Sequence, residues 1–383
     1  MIVSRLSLTD FRNYTSVDLD LVVGPNLFVG DNGQGKTNLI ESLGYLSTLG
    51  SHRVSTEHAM IRQGAEAAII RARVRHEKKE LLLEVQLNRI GANRAQLNKN
   101  QIKVRELPRY LHTVLFAPED LALVRAEPSG RRRFLDELLV LRNPRFTGVL
   151  SDYERVLRQR NTLLKSARST GLRGATLSTL DVWDERLIML GSEIIEARGK
   201  LVAELRPKVA QAYIAVAGDD HHAVLASRLS ILAGDPDAES EDHDISTVLT
   251  AEDASSKFRE ALDRLRRKEL DRGMTLAGPH RDDLILSLNN MPARGYASHG
   301  ESWSFALSLK LASAEVLRND SSVGDPVLIL DDVFAELDVS RRQRLAAAVD
   351  GFEQVLITAA VFGDIPDQLA THTVRISGGV IVP

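Results

Sequence analysis

The chain of 383 residues contains no cysteine and no long apolar segment. The absence of cysteine excludes disulfides, thiol nucleophiles and cysteine-based zinc sites, and it is typical of a reducing cytoplasm. No window approaches 18 consecutive apolar residues, so the sequence predicts no membrane-spanning helix and no membrane partner. The first residues, MIVSRLSLTDF, predict a strand rather than a signal peptide. We therefore expect a soluble, cytoplasmic protein.

Charge and aromatic content narrow the possible partners. The 49 basic and 52 acidic residues nearly cancel, giving a net charge of −3, so bulk charge provides no argument for binding nucleic acid. Aromatic residues make up only 5 % of the chain, which argues against an extended base-stacking surface. Any contact with nucleic acid would therefore come from local basic clusters that read the backbone and shape rather than the base sequence.

A glycine-rich turn near the N-terminus carries the strongest functional signal. The apolar residues 27–29 predict a strand, and the segment GDNGQGKT that follows matches G-x-x-x-x-G-K-[ST] at every fixed position. Its glycines let successive backbone N–H groups point at one anion, and a helix beginning near Lys36 adds the positive end of its dipole. We expect Lys36 to reach the β- and γ-phosphates of a nucleotide and the Thr37 hydroxyl to hold Mg²⁺.

A second apolar run supplies two carboxylates. Residues 327–330 are aliphatic, as in a central parallel strand covered on both faces, and Asp331 and Asp332 follow directly. We expect Asp331 to bind Mg²⁺, directly or through water, and Asp332 to orient the attacking water. Lys36, Asp331 and Asp332 are thus the predicted catalytic residues, and Thr37 and Asp331 the predicted metal ligands. Two aspartates after a strand also occur in ordinary turns.

Between these motifs the sequence changes from strands to helices. Alternating patterns over residues 67–76 and 80–89 and a hairpin around residues 98–100 predict an antiparallel sheet. From about residue 129, apolar residues recur at steps of three and four, which predicts a short antiparallel helix pair. Pro207 is expected to kink or end the second helix of that pair.

These patterns divide the chain into three parts. Residues 1–128 would form the N-terminal half of an ATPase domain, residues 129–272 an inserted helical domain, and residues 273–383 the C-terminal half of the ATPase domain. The acidic segment 235–244 is predicted to be a surface loop rather than a metal site. The predicted fold class is α/β, with a mostly helical lobe inserted into a P-loop domain.

Two segments flanking the aspartates resemble parts of ABC-type ATPases. Ser298-His299-Gly300-Glu301 opens a predicted helix, like the ABC signature, and the residues FAELD after the aspartates resemble the D-loop. The resemblance implies an ABC-type head of mixed and antiparallel sheets with flanking helices, in which two protomers enclose ATP head to tail. It also implies trans contacts to the nucleotide by Ser298, Gly300, Glu301 and Asp338. A helix merely capped by Ser298 would use the same residues.

These motifs follow one another in an order similar to that of the RecF family, which belongs to the wider SMC and Rad50 group. Ser298 follows Lys36 by 262 residues, which leaves room for a helical insertion but not for a coiled coil of hundreds of residues. The shared segments are SHR at 51–53, FAPEDL at 116–121, RRRFLD at 131–136, GPHRDDL at 278–284 and LDDVFAELD at 330–338. Many relatives have glutamine where this chain has Glu301, and the variant resembles the actinobacterial branch. An acid facing a γ-phosphate would need a positive neighbour, a proton or a backbone contact.

The resemblance implies ATP and Mg²⁺ as cofactors. The expected nucleotide-binding residues are Gly30, Asp31, Asn32, Gly33, Gln34, Gly35, Lys36, Thr37 and Asn38. It further implies an ATP-dependent homodimer on single-stranded and junction or duplex DNA, acting with RecO and RecR to load RecA in repair, replication and the SOS response. Because Asp332 is one methylene shorter than the glutamate usual in this class, we expect a weak, DNA-stimulated ATPase that serves as a switch.

The DNA contacts are expected from local charge alone. Arg131, Arg132 and Arg133 open a predicted helix and could neutralise phosphates, although charge runs on helices are more often solvated faces. His280 and Arg281 have two open interpretations, packing behind the signature helix and sensing the nucleotide. Two other functions also stay open: a non-hydrolysing scaffold that uses ATP only as a structural ligand, and an ATPase subunit that serves another partner.

Overall fold

The computed structural model describes residues 1–54, 56–76, 79–170, 175–218, 221–233, 244–245, 247–321 and 324–382. The acidic segment predicted as a loop lies, except for Asp244, outside these residues. Contacts divide the chain into two compact units: unit 1 comprises Met1–Leu121, Lys208–His221 and Ser298–Pro383, and unit 2 comprises Ala122–Pro207 and His222–Ala297. No helix in the described part of the chain combines the length and the apolar character needed to cross a membrane.

The strands fall into separate sheets within each unit. In chain order they are β1 (Ile2–Phe11), β2 (Tyr14–Asp20), β3 (Gly24–Val29), β4 (Ala67–His76), β5 (Lys79–Asn88), β6 (Arg94–Leu97), β7 (Asn100–Ile102), β8 (Thr113–Phe116), β9 (Ala223–Arg228), β10 (Asp244–Ile245), β11 (Asp283–Leu288), β12 (Met291–Pro292), β13 (Val327–Asp331), β14 (Gln354–Ala359), β15 (Thr373–Ser377) and β16 (Val380–Val382). Unit 1 holds an antiparallel sheet of order β2-β1-β4-β5-β6-β7 and a mixed sheet of order β16-β15-β3-β14-β13-β8. Unit 2 holds an antiparallel sheet of order β10-β9-β11-β12.

The antiparallel sheet of unit 1 confirms the predicted strands and hairpin. Buried and more exposed residues alternate along β4, as expected for a strand with one face on a core. Asn98 and Lys99 join β6 to β7 with φ of 50° and 68°. Two consecutive positive φ values match the twist of a two-residue hairpin, and asparagine adopts this conformation more readily than most residues.

The mixed sheet of unit 1 forms the buried centre of that unit. All residues of β13 and β14 are buried, so both faces of these strands are covered. Neighbouring strands from β15 through β3, β14 and β13 to β8 are parallel, and only β16 runs against its neighbour within this sheet as described. A continuous aliphatic run is what a doubly covered parallel strand requires, which is why residues 327–330 predict β13 correctly.

The helices, in chain order, are α1 (Lys36–Thr48), α2 (Leu121–Arg125), α3 (Pro128–Arg142), α4 (Phe146–Thr170), α5 (Ala175–Ala217), α6 (Ala251–Arg272), α7 (Ala293–Tyr296), α8 (His299–Asp320) and α9 (Val339–Val349). In unit 2, Arg160 of α4 bonds Asp184 of α5, and a Cβ on Gly191 of α5 would lie 3.2 Å from the Tyr153 ring of α4. The later residue of α4, Arg160, contacts the earlier residue of α5, and the earlier residue of α4, Tyr153, lies beside the later residue of α5. α4 and α5 therefore form the predicted antiparallel pair.

Of the two outcomes predicted for Pro207, a kink or an end of the helix, the end of the helix is wrong. α5 continues through Pro207 to Ala217, and the unit assignment changes at this residue. Proline has no N–H to donate to the helix, so one backbone hydrogen bond is lost. Burial of apolar side chains on either side can offset the free energy lost with that bond. Leu205 and Val209 are both fully buried. Tertiary packing thus overrides the local signal.

Candidate nucleotide-binding site

The glycine-rich turn and the two aspartates lie at the same edge of the mixed sheet of unit 1. β3 leads into the turn, β13 ends at Asp331, and β14 lies between these strands. Since the strands are parallel, their carboxyl ends meet at one edge, where open α/β sheets bind ligands. Asp331 pairs with Thr358 of β14, and Val29 pairs with Ala359, so the two motifs end level with each other.

Two side chains, one in the β1–β2 connection and one at the start of β2, support the turn between β3 and α1. Gly35 has φ 116°, and a Cβ there would lie 2.7 Å from Asn13 Nδ2 and 2.8 Å from Tyr14 Oη. Tyr14 donates to Gly35 O (3.1 Å), and Asn13 Nδ2 donates to Gln34 O (3.0 Å). Only glycine fits both this conformation and this spacing. The turn is therefore a packed loop whose shape depends on two side chains that the motif itself does not contain.

The expected nucleotide-binding residues divide into exposed and structural positions. Asp31, Asn32 and Gly33 are exposed at the tip of the turn. Gln34 Oε1 instead accepts from Gly378 N (2.5 Å), which ties the turn to the β15–β16 connection. Asn38 Nδ2 donates to the Asn13 amide oxygen (2.8 Å). Gln34 and Asn38 thus hold the loop in shape, while its tip is open to a ligand.

Lys36 lies across the turn and is only 5 % exposed. Its ammonium group donates to Gly30 O (2.5 Å) and Asp31 O (3.0 Å). Burial lowers the pKa of Lys36, and the charges of Asp332, Asp331 and Asp31 oppose that shift. A buried cation held by neutral carbonyl dipoles gains from an added anion, because such a charge is stabilised by a fully charged partner. This loop accordingly fits a phosphate chain.

Asp331 is 4 % exposed and receives two hydroxyl donors on one oxygen. Thr37 Oγ1 donates to Asp331 Oδ1 (3.0 Å), and Thr358 Oγ1 donates to the same oxygen (2.6 Å). The predicted pair of metal ligands, Thr37 and Asp331, is therefore brought together although the residues are 294 positions apart. Among the described residues, no group of three or more His, Asp or Glu could hold a metal ion. One hydroxyl and one carboxylate suit Mg²⁺, which keeps waters and phosphate oxygens as its other ligands.

Two residues near Asp331 lie outside the two sequence motifs of the site and could not be identified from them. Thr358 of β14 also accepts from Asp332 N (2.9 Å), so one hydroxyl fixes both aspartates. His52 Nε2 lies 3.8 Å from Asp331 Oδ2 and is a buried atom without a hydrogen-bond partner in the described structure. The register of β14 against β13 places Thr358, so only knowledge of the sheet order could have identified it.

Asp332 follows β13 in a left-handed conformation with φ 54°. Aspartate and asparagine adopt this region more easily than longer side chains. The conformation supplies a backbone reason for an aspartate here instead of the glutamate of the wider class. Burial raises the pKa of Asp332, Lys36 opposes the rise and Asp331 adds to it.

The signature segment opens α8 in unit 1 and confirms the predicted cap. Ser298 Oγ accepts from Glu301 N (3.3 Å), and Glu301 Oε2 accepts from Ser298 N (2.7 Å), which is a reciprocal capping box. These bonds from Ser298 lower the pKa of Glu301. His221 Nδ1 lies 3.6 Å from Glu301 Oε1. Glu301 is thus a charged cap, while the trans contacts by Ser298, Gly300 and Glu301 stay predictions.

Asp338 of the D-loop caps the next helix in the same way. Its Oδ1 accepts from Arg341 N (2.9 Å) and from Ser340 Oγ (2.8 Å) at the start of α9. Its Oδ2 pairs with Arg341 Nη1 (3.0 Å). The carboxylate is exposed, so the predicted trans contact by Asp338 would compete with a local ion pair.

Comparison with known proteins assigns this arrangement to a family. The model of the RecF/RecN/SMC N-terminal domain matches residues 2–365. A DNA replication and repair protein RecF from Clavibacter sepedonicus is 63 % identical over 100 % of this chain and 95 % of its own. The RecF of Leifsonia xyli subsp. xyli is 62 % identical, over 100 % of this chain and 99 % of its own. The chain belongs to the RecF family.

Solved structures agree with this assignment at the level of the whole RecF fold. The recombination mediator protein RecF-ATPrS in the RecFOR pathway matches with a TM-score of 0.87 and 27 % identity, covering 99 % of this chain and 97 % of that one. An SMC head bound to the C-terminal winged-helix domain of ScpA matches with a TM-score of 0.55 and 14 % identity, covering 100 % and 96 %. The predicted fold class, an ABC-type ATPase head of the SMC group, is thereby confirmed.

The basic cluster predicted to contact DNA, Arg131 to Arg133, has three different environments in unit 2. Arg131 is 4 % exposed, and its Nε and Nη2 donate to the two carboxylate oxygens of Asp283 (2.8 and 2.9 Å). Arg132 is half-buried and donates to Asp282 O (2.8 Å), whereas Arg133 is exposed. Arg131 is therefore removed from the set of candidate DNA contacts, because its charge is already compensated inside the unit.

The GPHRDDL segment of this chain is a mostly buried polar junction within unit 2, from which only Arg281 is exposed among its seven residues. His280 Nδ1 hydrogen-bonds Tyr153 Oη (2.7 Å), and burial lowers the pKa of His280 to about 3. Asp282 Oδ1 accepts from the N and Oγ of Ser230, both at 2.8 Å. These contacts are packing contacts within unit 2, and both open interpretations of His280, packing behind the signature helix and nucleotide sensing, stay predictions.

Proposed function

We propose that this RecF-family chain is an ATP-dependent, DNA-binding recombination mediator whose protomers dimerise around ATP. The observation that carries the proposal is the arrangement of Lys36, Thr37 and Asp331 at one sheet edge, with a packed glycine turn around them. The solved RecF-ATP structure of the RecFOR pathway, with a TM-score of 0.84, supports ATP as the ligand. We further propose a cytoplasmic role with RecO and RecR in directing RecA to gapped or junction DNA, in repair, replication and the SOS response.

The turn would bind the phosphates by exchange of partners. Lys36 would release the carbonyl oxygens of Gly30 and Asp31 and donate to β- and γ-phosphate oxygens. Thr37 and Asp331 would hold Mg²⁺, which would neutralise charge on the phosphates. The signature of the other protomer would close the site, so the γ-phosphate would determine whether two protomers stay together.

Hydrolysis would reopen the dimer. Asp332 would orient a water molecule, and its raised pKa suits a group that accepts a proton late in the reaction. The Asp332 carboxylate is one methylene shorter than that of a glutamate, so we expect slow turnover. Asp332→Asn should retain ATP binding and dimerisation but reduce phosphate release at least about tenfold, a general-base effect being at least this large. Unchanged phosphate release would exclude Asp332 from this role.

DNA would contact exposed cations of unit 2 without reading the base sequence. Arg133, Lys165 and Arg168 are exposed, whereas Arg160 is fully buried and cannot contribute. Contacts of this kind weaken steeply with salt. We therefore expect binding that depends on ionic strength and on the presence of a junction, but not on sequence.

Sedimentation of the protein with a tailed duplex tests the whole proposal. The conditions are no nucleotide, ADP or ATP, each with wild type, Lys36→Ala and the control Lys99→Asn, which removes an exposed charge from the β6–β7 turn. We expect only ATP to give a dimer that carries DNA, and only Lys36→Ala to abolish it. A monomer that binds DNA equally without nucleotide would overturn the proposal and leave an ATPase serving another partner. ATP-dependent dimers that release no phosphate would point to the scaffold alternative.

A further inference from the structure

An arginine on α9 lies against the signature turn of unit 1. A Cβ on Gly300 would be 2.5 Å from Arg341 Nη1 and 3.1 Å from its Cζ and Nη2. A contact of 2.5 Å does not occur between a real Cβ and its neighbour, so a larger residue at position 300 would displace the Nη1 end of this flexible side chain. The glycine of the signature therefore has a specific partner, and that partner carries a positive charge.

The guanidinium of Arg341 is incompletely paired. Its Nη1 donates to Asp338 Oδ2 (3.0 Å), but its Nε is buried without a hydrogen-bond partner in the described structure. Asp338 is about half exposed, and exposed ion pairs contribute little free energy because water competes for both charges. An anion arriving at this surface could therefore replace Asp338 at modest cost.

The charges of Glu301 and Arg341 at the signature show which of these two side chains can face a phosphate. Glu301 stands where many RecF relatives have glutamine, and its carboxylate would repel a γ-phosphate. Its Oε2 is turned back to Ser298 N and its Oε1 lies near His221, so the negative charge is used within the protomer. Arg341 is the cation that contacts Gly300, two residues from the predicted trans ligand Ser298.

We infer that Arg341 binds the γ-phosphate of the nucleotide held by the opposite protomer, with Asp338 as its partner in the free protein and Gly300 as the residue that makes room for it. This inference rests on the proposed ATP-enclosing dimer and adds a ligand to it. In the free protein Arg341 bonds Asp338, and in the dimer the guanidinium exchanges that carboxylate for phosphate oxygens. Planar, forked donors are suited to phosphate.

Mixing of two inactive variants tests whether Arg341 acts across the interface. In a dimer of Lys36→Ala with Arg341→Gln, one site lacks both groups, and the other combines Lys36 of one protomer with Arg341 of its partner. We expect Arg341→Gln alone to raise the Kd of the ATP-dependent dimer at least about tenfold, as loss of a charge-assisted bond does. The mixture with Lys36→Ala should restore dimers, measured by sedimentation with ATP and differently labelled protomers.

Three controls separate the possible failures. Arg344→Gln removes another arginine of α9, which bonds Ala217 O outside the D-loop segment, and should leave ATP-dependent dimerisation unchanged. ATP binding by dilute, monomeric Arg341→Gln should equal that of wild type, and so should its thermal midpoint. Normal dimerisation by Arg341→Gln, or no rescue in the mixture, would overturn the inference. No dimer of wild type with ATP would instead overturn the proposed function.

Discussion

The glycine-rich turn of unit 1 and the buried ion pairs around Arg160 in unit 2 both contain buried charged side chains. The groups that compensate these charges differ between the two regions. Lys36 is held by two carbonyl oxygens, and Asp331 Oδ1 by two hydroxyls. In unit 2, Arg160 instead bonds Asp184 and Glu269, each at 2.6 Å. A charge held by neutral dipoles can gain from a charged ligand, whereas a charge already paired with opposite charge cannot. The comparison explains why similar residue types form a site in one unit and a scaffold in the other.

Removal of Glu269 should give the largest loss of stability. Glu269 is fully buried and also accepts from Leu276 N (2.7 Å), so Glu269→Ala leaves both Arg160 and a backbone N–H without this partner. We expect unit 2 to lose about 3–5 kcal/mol, as for other broken buried ion pairs. Denaturant unfolding would be followed by fluorescence of Trp183, in a Trp303→Phe background that removes the second of the two tryptophans.

The matched control for Glu269 is an exposed ion pair in the same unit. Glu185 pairs with Arg259, and both side chains are about half exposed. Glu185→Ala should leave the unfolding midpoint nearly unchanged, because solvent screens such pairs. Equal effects of the two substitutions would contradict the distinction between buried, fully charged pairs and surface pairs.

Lys36→Ala should show the opposite profile, with a loss of function and little loss of stability. We expect ATP affinity to fall about 100-fold, or ~3 kcal/mol, because two charge-assisted bonds to phosphate would be lost. Stability of unit 1, followed by Trp303 in a Trp183→Phe background, should be unchanged or slightly higher, since burial of the ammonium group is unfavourable in the free protein. A destabilised variant would place Lys36 with the scaffold.

The GPHRDDL junction predicts two opposing pH effects within unit 2. Burial lowers the pKa of His280 from 6.5 to about 3, so only the unfolded chain binds this proton between those values and stability falls as pH falls. Burial raises the pKa of Asp282 from 3.8 to about 6, so the folded chain binds more protons in that window and stability rises as pH falls. Between about pH 6 and 4 the two contributions partly cancel.

Single substitutions should separate the two contributions. Asp282→Asn keeps an acceptor for Ser230 but removes the carboxyl, so acid should destabilise unit 2 more steeply than in wild type, by about 2–3 kcal/mol between pH 6.5 and 4. His280→Gln should change the slope in the other direction. Trp183 fluorescence during denaturant unfolding at several pH values provides the measurement. Parallel profiles for all three proteins would show that neither group titrates differently on folding.

The sequence predicts the parts of this molecule in which function depends on local spacing. The glycine turn and the aspartates after β13 follow from fixed patterns, and the hairpin at Asn98 follows from its turn residues. Local charge offers Arg131 as a DNA contact, but its partner Asp283 lies 152 positions away, where no local pattern can reveal it. Thr358 and Arg341 depend on sheet register and on helix packing. Which arginines are compensated is a tertiary property, and no local pattern contains it.

The contact between residues 116–121 and the signature helix α8 is a second feature that no local pattern predicts. No glutamine stands in residues 116–121, where an ABC Q-loop could fall, and Glu119 is the residue that the sequence suggests in its place. Glu119 is exposed, whereas Asp120 Oδ1 pairs with Lys310 of α8 (2.9 Å) within unit 1. The neighbouring acid thus connects this segment to α8.

Ser298 gives the smallest expected change in stability and distinguishes a cap from a ligand. Ser298→Ala removes the acceptor for Glu301 N and should cost unit 1 about 1 kcal/mol. Ser298→Asp keeps a good helix cap and should retain the wild-type unfolding midpoint, but it adds a carboxylate where the opposite γ-phosphate is expected. If Ser298 only caps α8, Ser298→Asp dimerises with ATP like wild type. If it also faces the nucleotide, Ser298→Asp loses the dimer at full stability, which a scaffold residue such as Glu269 cannot do.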